Sequence, residues 1–183
     1  TMSKVLITGC SGYLGTLLTK HLQDKEHDVW VLDTKFPDHH TNPNESNLDH
    51  LYQYLPFDIN QPLPKDFDEE YDAVVHLAAK VDVEESTQMP IQYYITNING
   101  TMNCLSKIKT KNFILASVDS AEHCEAPYSV SKRAAEDCVI EYCMMHNPKH
   151  FSIMRITDKA TDKEIVEAFA LVIEAPSNSI LKV

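Results

Sequence analysis

Lys4-Val5-Leu6-Ile7-Thr8-Gly9-Cys10-Ser11-Gly12-Tyr13-Leu14-Gly15 is the stretch that decides the fold. A short apolar run breaks into Gly-x-x-Gly-x-x-Gly, and a helical stretch, Gly12–Asp24, follows at once. Gly9 permits a tight turn, Gly12 lets backbone N–H groups approach phosphate oxygens, and Gly15 lets the helix lie close to the strand. The helix begins at the loop, so its positive end points at an anion. Three of the chain's four glycines fall in this seven-residue window between strand and helix, the context that separates a pyrophosphate-binding turn from scattered structural turns. Ser11, Tyr13 and Leu14 complete the candidate cofactor loop with Gly9, Gly12 and Gly15.

Working outward, apolar runs recur at Lys4–Thr8, 29–33, 54–58, 73–77, 113–117, 151–155 and 179–183, separated by helical stretches at Gly12–Asp24, 84–109, 126–146 and 161–174. The runs are continuous rather than alternating, as strands covered on both faces require. The alternation predicts an α/β fold: a doubly wound parallel sheet of about seven strands (a Rossmann fold) in three α/β/α layers with right-handed crossovers. No repeat, linker or low-complexity tract interrupts it, so residues 1–183 read as one domain. The polar stretch 35–46 reads as a loop, as does Pro62–Pro64.

The formal charge of −11 argues against nucleic-acid or anionic-membrane partners, which want a basic surface. No apolar run reaches membrane-span length, and no signal-peptide pattern opens the chain. Five cysteines with no Cys-x-x-Cys read as reduced thiols, hence a cytoplasmic protein. His39, His40 and His50 lack carboxylate or thiol partners at ligand spacing and read as a solvated loop, so no metal is expected.

Asp33 ends the second strand 18 residues beyond Gly15, where a carboxylate can accept hydrogen bonds from ribose hydroxyls and repel a 2′-phosphate. NAD is therefore expected over NADP, with Lys35 as the opposing cation; a loop-capping aspartate is the alternative. Asp58 and Ile59 follow the third strand and can border an adenine, or mark a turn. Leu77, Ala78 and Ala79 end the fourth strand with small residues against which a cofactor can lie, while His76 reads as a packed strand-end histidine.

Tyr128 and Lys132 stand four apart in a helical stretch and share a face. A phenol with a free pKa of about 10 needs help to act as a base near neutral pH, and an adjacent ammonium favours the phenolate. Proton exchange at Tyr128 paired with hydride exchange at a nicotinamide would oxidise an alcohol or reduce a ketone.

Thr8-Gly9-x-x-Gly12-x-x-Gly15, Asp33, Asp58-Ile59, His76-Leu77-Ala78-Ala79, Asn97-x-x-Gly100-Thr101 and Tyr128-x-x-x-Lys132 occur in order. Together they resemble the extended short-chain dehydrogenase/reductase family, in its NAD-dependent nucleotide-sugar epimerase/dehydratase branch. The stretch Pro90–Thr101 is similar to the UDP-glucose 4-epimerases of that branch. The resemblance covers about residues 2–155 and implies NAD as cofactor, Lys132 on the nicotinamide ribose, and Asn97 as the residue that supports the helix and orders water near the lysine. It also implies a small-molecule substrate, in this branch a nucleotide-sugar, and a homodimer through the stretches around 84–109 and 126–146.

Three departures stand out. The family's substrate-holding hydroxyl aligns with Val118, leaving Ser117 or Ser120 to fill the role, with Asp119 as a candidate acid. The link from Ser117 to Tyr128 is short. After Arg155 the chain leads almost directly into its last helix, without the substrate lobe of the branch. Two functions follow: an NAD-dependent oxidoreductase or epimerase/dehydratase-like enzyme, or a non-catalytic NAD-binding regulator or sensor.

Overall fold

The computed structural model describes residues 1–34, 53–64, 68–148 and 150–183. Nine strands run β1 (Lys4–Thr8), β2 (Asp28–Asp33), β3 (Gln53–Pro56), β4 (Glu70–Tyr71), β5 (Ala73–His76), β6 (Lys109–Thr110), β7 (Asn112–Val118), β8 (His150–Ile156) and β9 (Ser179–Lys182) among the described residues. Seven form one parallel sheet in the order β3-β2-β1-β5-β7-β8-β9, and β4 pairs with β6 in a separate two-strand ladder. The chain winds outward from β1 to β3 and then from β5 to β9, so the order reverses between β1 and β5. In such sheets that reversal opens a crevice at the carboxyl ends of the strands.

The strand side chains alternate between two cores. Val5 and Ile7 of β1 join Leu18 and Leu22 of α1 (Tyr13–Asp24) and Phe169, Val172 and Ile173 of α6 (Asp162–Glu174). Leu6, with Val74, Phe113 and Ile153, faces Leu105 of α4 (Thr101–Lys107) and Ala135 and Val139 of α5 (Pro127–Met145) on the other side. Both sheet faces are covered, which is why the strands read as unbroken apolar runs.

The stretch expected as one helix over 84–109 is broken. Pro90 has no N–H to donate and disfavours helical geometry in the residue before it, so α2 (Val83–Gln88) stops at Met89, whose φ is −130°. The chain restarts as α3 (Pro90–Tyr94), widens into a π-helical turn over Ile95–Gly100, and continues as α4. The loop 35–46, with Lys35, His39 and His40, and also His50, lie outside the described residues.

Candidate active site

The strand reversal is where the glycine turn sits. Gly9 adopts φ +74°, donates its N–H to the Leu32 carbonyl at 2.9 Å, and is pressed against the chain leaving β5: a Cβ there would fall 2.6 Å from the Ala78 nitrogen. Gly12 differs. Its backbone is extended, and an added Cβ would meet nothing nearer than the Gly9 carbonyl oxygen at 3.5 Å, so the missing side chain leaves room toward the crevice. No side chain caps α1 at Gly12, which leaves the first-turn N–H groups for an anion.

A cleft of about 600 Å³ runs from this turn along the carboxyl edge of the sheet. Gly9, Gly12, Tyr13, Leu14 and Gly15 line one end. Asp33 borders the cleft and accepts the Ser11 N–H at 3.0 Å, so Ser11 braces the turn from behind instead of lining it. Asp58 and Ile59 flank the same end; Asp58 accepts the Asn60 N–H at 2.9 Å in a side-chain turn, and Asn60 and Thr34 also reach the cleft. Leu77, Ala78 and Ala79 form its floor. The Tyr13 hydroxyl donates to Asp162 in the first turn of α6 at 2.5 Å, tying the glycine turn to that helix. A larger hollow of about 1160 Å³ lies at the amino ends of the strands, away from all of these residues.

At the far end stand Tyr128 and Lys132, both buried and both lining the cleft. Burial pushes the Tyr128 phenol up to about 12, and the ring packs edge-on against Tyr93 with centroids 6.3 Å apart. The expected lowering of the phenol by Lys132 is therefore not what the geometry gives: desolvation prevails. The same burial pushes Lys132 down to about 8, opposed by the charge of Glu136.

Asn97 does not line the cleft. Its amide accepts the Lys80 N–H at 2.8 Å and donates to the Lys80 carbonyl at 2.9 Å and the Ser131 hydroxyl at 2.9 Å, joining the loop after β5 to α5. With those partners it acts as a tie between the loop after β5 and α5. His76 is a core residue, as read from sequence. Its ring lies between the hydroxyls of Thr8 at 2.7 Å and Thr101 at 3.0 Å, and burial holds it down to about 3.

The candidate hydroxyls separate clearly. Side chains alternate along β7, so Ser117 points with Phe113 and Leu115 toward α5, and Val118 points with Ile114 and Ala116 toward α1 and α6. Ser117 borders the cleft, but its hydroxyl donates to Glu136 at 2.5 Å. Ser120 is exposed on the short 3₁₀ turn Asp119–Glu122 and does not line the cleft, which corrects its candidacy. Asp119 pairs with Lys182 at 2.5 Å.

Val118, Ile156, Thr157 and Asp158 complete the cleft beyond Tyr128. The last three were missed because only the β7–β8 register, which sets Ile156 beside Val118, brings them there. Also missed was Glu136, which Arg155 holds through Nε at 3.0 and 3.2 Å and Nη2 at 2.6 Å; its spacing of four residues from Lys132 was the available signal.

Residues 5–159 match the profile of the NAD dependent epimerase/dehydratase family. Over 201 aligned residues the chain is 24% identical to a putative UDP-glucose 4-epimerase of Methanocaldococcus jannaschii, covering 97% of this chain and 63% of that protein. It is 30% identical over 121 residues to the UDP-glucose 4-epimerase uge1 of Schizosaccharomyces pombe, covering 62% and 34% respectively. The chain thus spans about a third to just under two thirds of the length of these curated relatives. In fold it is similar to the Thermus thermophilus UDP-glucose 4-epimerase solved as a complex with NAD, with TM-score 0.74, 17% identity, and coverage of 98% of this chain and 76% of that one. Among the described residues no helix is long and apolar enough to cross a membrane. With the glycine turn at the strand reversal and Tyr128 and Lys132 closing the same cleft, the chain belongs to the NAD dependent epimerase/dehydratase family.

Proposed function

We propose that the chain binds NAD along this cleft and serves a nucleotide-sugar epimerase-type reaction in which Tyr128 exchanges a proton with the substrate oxygen. The observation that carries this reading is the placement of Tyr128 and Lys132, both buried, at the opposite end of the cleft from the glycine turn. The residues present fit the dinucleotide. Gly12 leaves the space a pyrophosphate needs, Asp33 borders it as a ribose acceptor, and the small residues Ala78 and Ala79 leave the floor open.

When bound, the nicotinamide supplies the hydride acceptor and donor. The chain's own groups do the rest. Lys132 brings a cation to the ribose and phenol end, and the buried phenol of Tyr128 holds the transferable proton. Val118 and Ile156 give that end of the cleft an apolar wall. UDP-glucose 4-epimerases among the relatives support a nucleotide-sugar as the substrate class. Exposed Val83 on α2, Met89 at the break, Ile91 on α3, Ile95 in the π turn and Val130 on α5 support a homodimer through these elements, and a monomeric mass by light scattering at micromolar concentration would count against it.

The test is NAD binding by calorimetry with turnover of UDP-sugars. Tyr128→Phe should bind NAD and lose turnover; turnover that survives this change sinks the reading. A second reading, NAD binding without catalysis, is favoured by one observation: the Ser117 hydroxyl is taken up by Glu136 while Val118 fills the neighbouring position. Tight NAD binding with no turnover on any sugar or small ketone would support it.

A further inference from the structure

Glu136 follows Lys132 by four residues on α5, so the two side chains share a helix face. Both are buried, Glu136 at 1% exposure and Lys132 at 5%. Arg155 grips the carboxylate with Nε and Nη2, and its Nη1 reaches Glu122 at 2.9 Å. Ser117 and Arg155 are register partners on β7 and β8, and they reach the carboxylate from adjacent strands. A carboxylate fixed from two strands and its own helix cannot swing into solvent.

Among the described residues, the titratable groups around Lys132 are few. Tyr128 stands on its own helix with Tyr93 of α3 behind it, His76 lies on β5, and Arg155 lies beyond Glu136 on β8. His76 is neutral above about pH 3, and Tyr128 keeps its proton to about 12. Glu136 is the one carboxylate among these neighbours.

We propose that Glu136 is a positioning residue of this cleft: anchored by Arg155, it keeps Lys132 cationic and draws the Ser117 hydroxyl out of the reaction zone. The inference rests on reading Tyr128 and Lys132 as the proton-transfer pair. It adds to that reading a named source for the lysine's charge and a reason why the strand-end serine is not the substrate's hydrogen-bond donor.

The test is an NMR titration of the lysine ε-carbons in the full chain, with Lys132→Met assigning the resonance. In Glu136→Gln the Lys132 midpoint should fall by about 1 on the pH scale, and NAD binding at pH 8 should weaken by about fivefold. Ser117→Ala, which leaves the charge in place, should not move the midpoint. Should Glu136→Gln fail to fold, Glu136→Gln/Arg155→Gln replaces the buried ion pair with two neutral amides, and a smaller fall is expected, because the carboxylate and the guanidinium beyond it act on the lysine with opposite sign. An unchanged midpoint in whichever variant folds overturns the proposal. If the midpoint falls but the wild-type chain shows no saturable NAD binding, the role of Glu136 stands and the proton-transfer reading fails.

Discussion

A methyl group placed on Gly15 would lie 2.3 Å from the carbonyl oxygen of Gly9, so α1 touches the turn before it at a distance no side chain permits. Gly12, three residues earlier, has no such neighbour. The two glycines therefore serve different ends, one for packing and one for ligand access. Gly15→Ala should cost about 3 kcal/mol of stability through overpacking against backbone. Gly12→Val should leave the thermal midpoint nearly unchanged while abolishing NAD binding. Calorimetry of both variants beside thermal melts separates the roles, and a Gly12→Val chain that still binds NAD with full affinity would refute the assignment.

Lys132 links stability to pH with a definite sign. Burial takes it from the ordinary 10.5 down to about 8, so between those values the unfolded chain holds the extra proton and stability rises with pH. Below pH 8 the full cost of the buried cation is present, roughly 3 kcal/mol. Lys132→Met should therefore be more stable than the wild type in urea denaturation at pH 7, and this advantage should shrink between pH 8 and 10.5. A gain that does not vary with pH would show that packing, not charge, is responsible.

Val118→Ser would introduce a hydroxyl at a cleft-lining position beside Ser117, whose own hydroxyl Glu136 already holds. If the proposed reaction is limited by the missing donor, turnover in this variant should rise about tenfold, within the range of a positioned proton-transfer or hydrogen-bonding group. Ser117→Ala should leave turnover within about twofold, because that hydroxyl is already engaged. Steady-state rates on UDP-sugars decide between them.

Asn97→Ala removes an amide that bridges Lys80 and Ser131 in the interior. The Lys80 N–H and carbonyl would lose their partners, at about 2–3 kcal/mol. Chemical denaturation should show that loss, and the NAD affinity of the remaining folded protein should change by less than about tenfold. A larger loss of affinity with stability intact would place Asn97 in direct contact with the ligand.

Much of this was legible in the sequence because it is local. The glycine turn, the apolar strands and the four-residue spacing of Tyr128 and Lys132 are all encoded within a few residues of one another. What could not be read depends on partners distant in the chain. The direction of Ser117 is a matter of strand parity, and its capture needs Glu136 and Arg155, which register and helix placement bring together. The β4–β6 ladder has two residues on each side, too few to leave a hydrophobic period. The break at Met89 is encoded locally by Pro90, which the stretch expected as one helix over 84–109 runs across.

The π-helical turn over Ile95–Gly100 carries a cost that the site makes worthwhile. Its wider winding lets Asn97 reach Lys80 and Ser131 while Thr101, one turn on, still meets His76. Deleting one residue there would restore ordinary winding and leave the flanking helices in register, at the loss of the wide turn from which Asn97 reaches Lys80 and Ser131. An engineer seeking a hardier protein would do well to leave these six residues as they are.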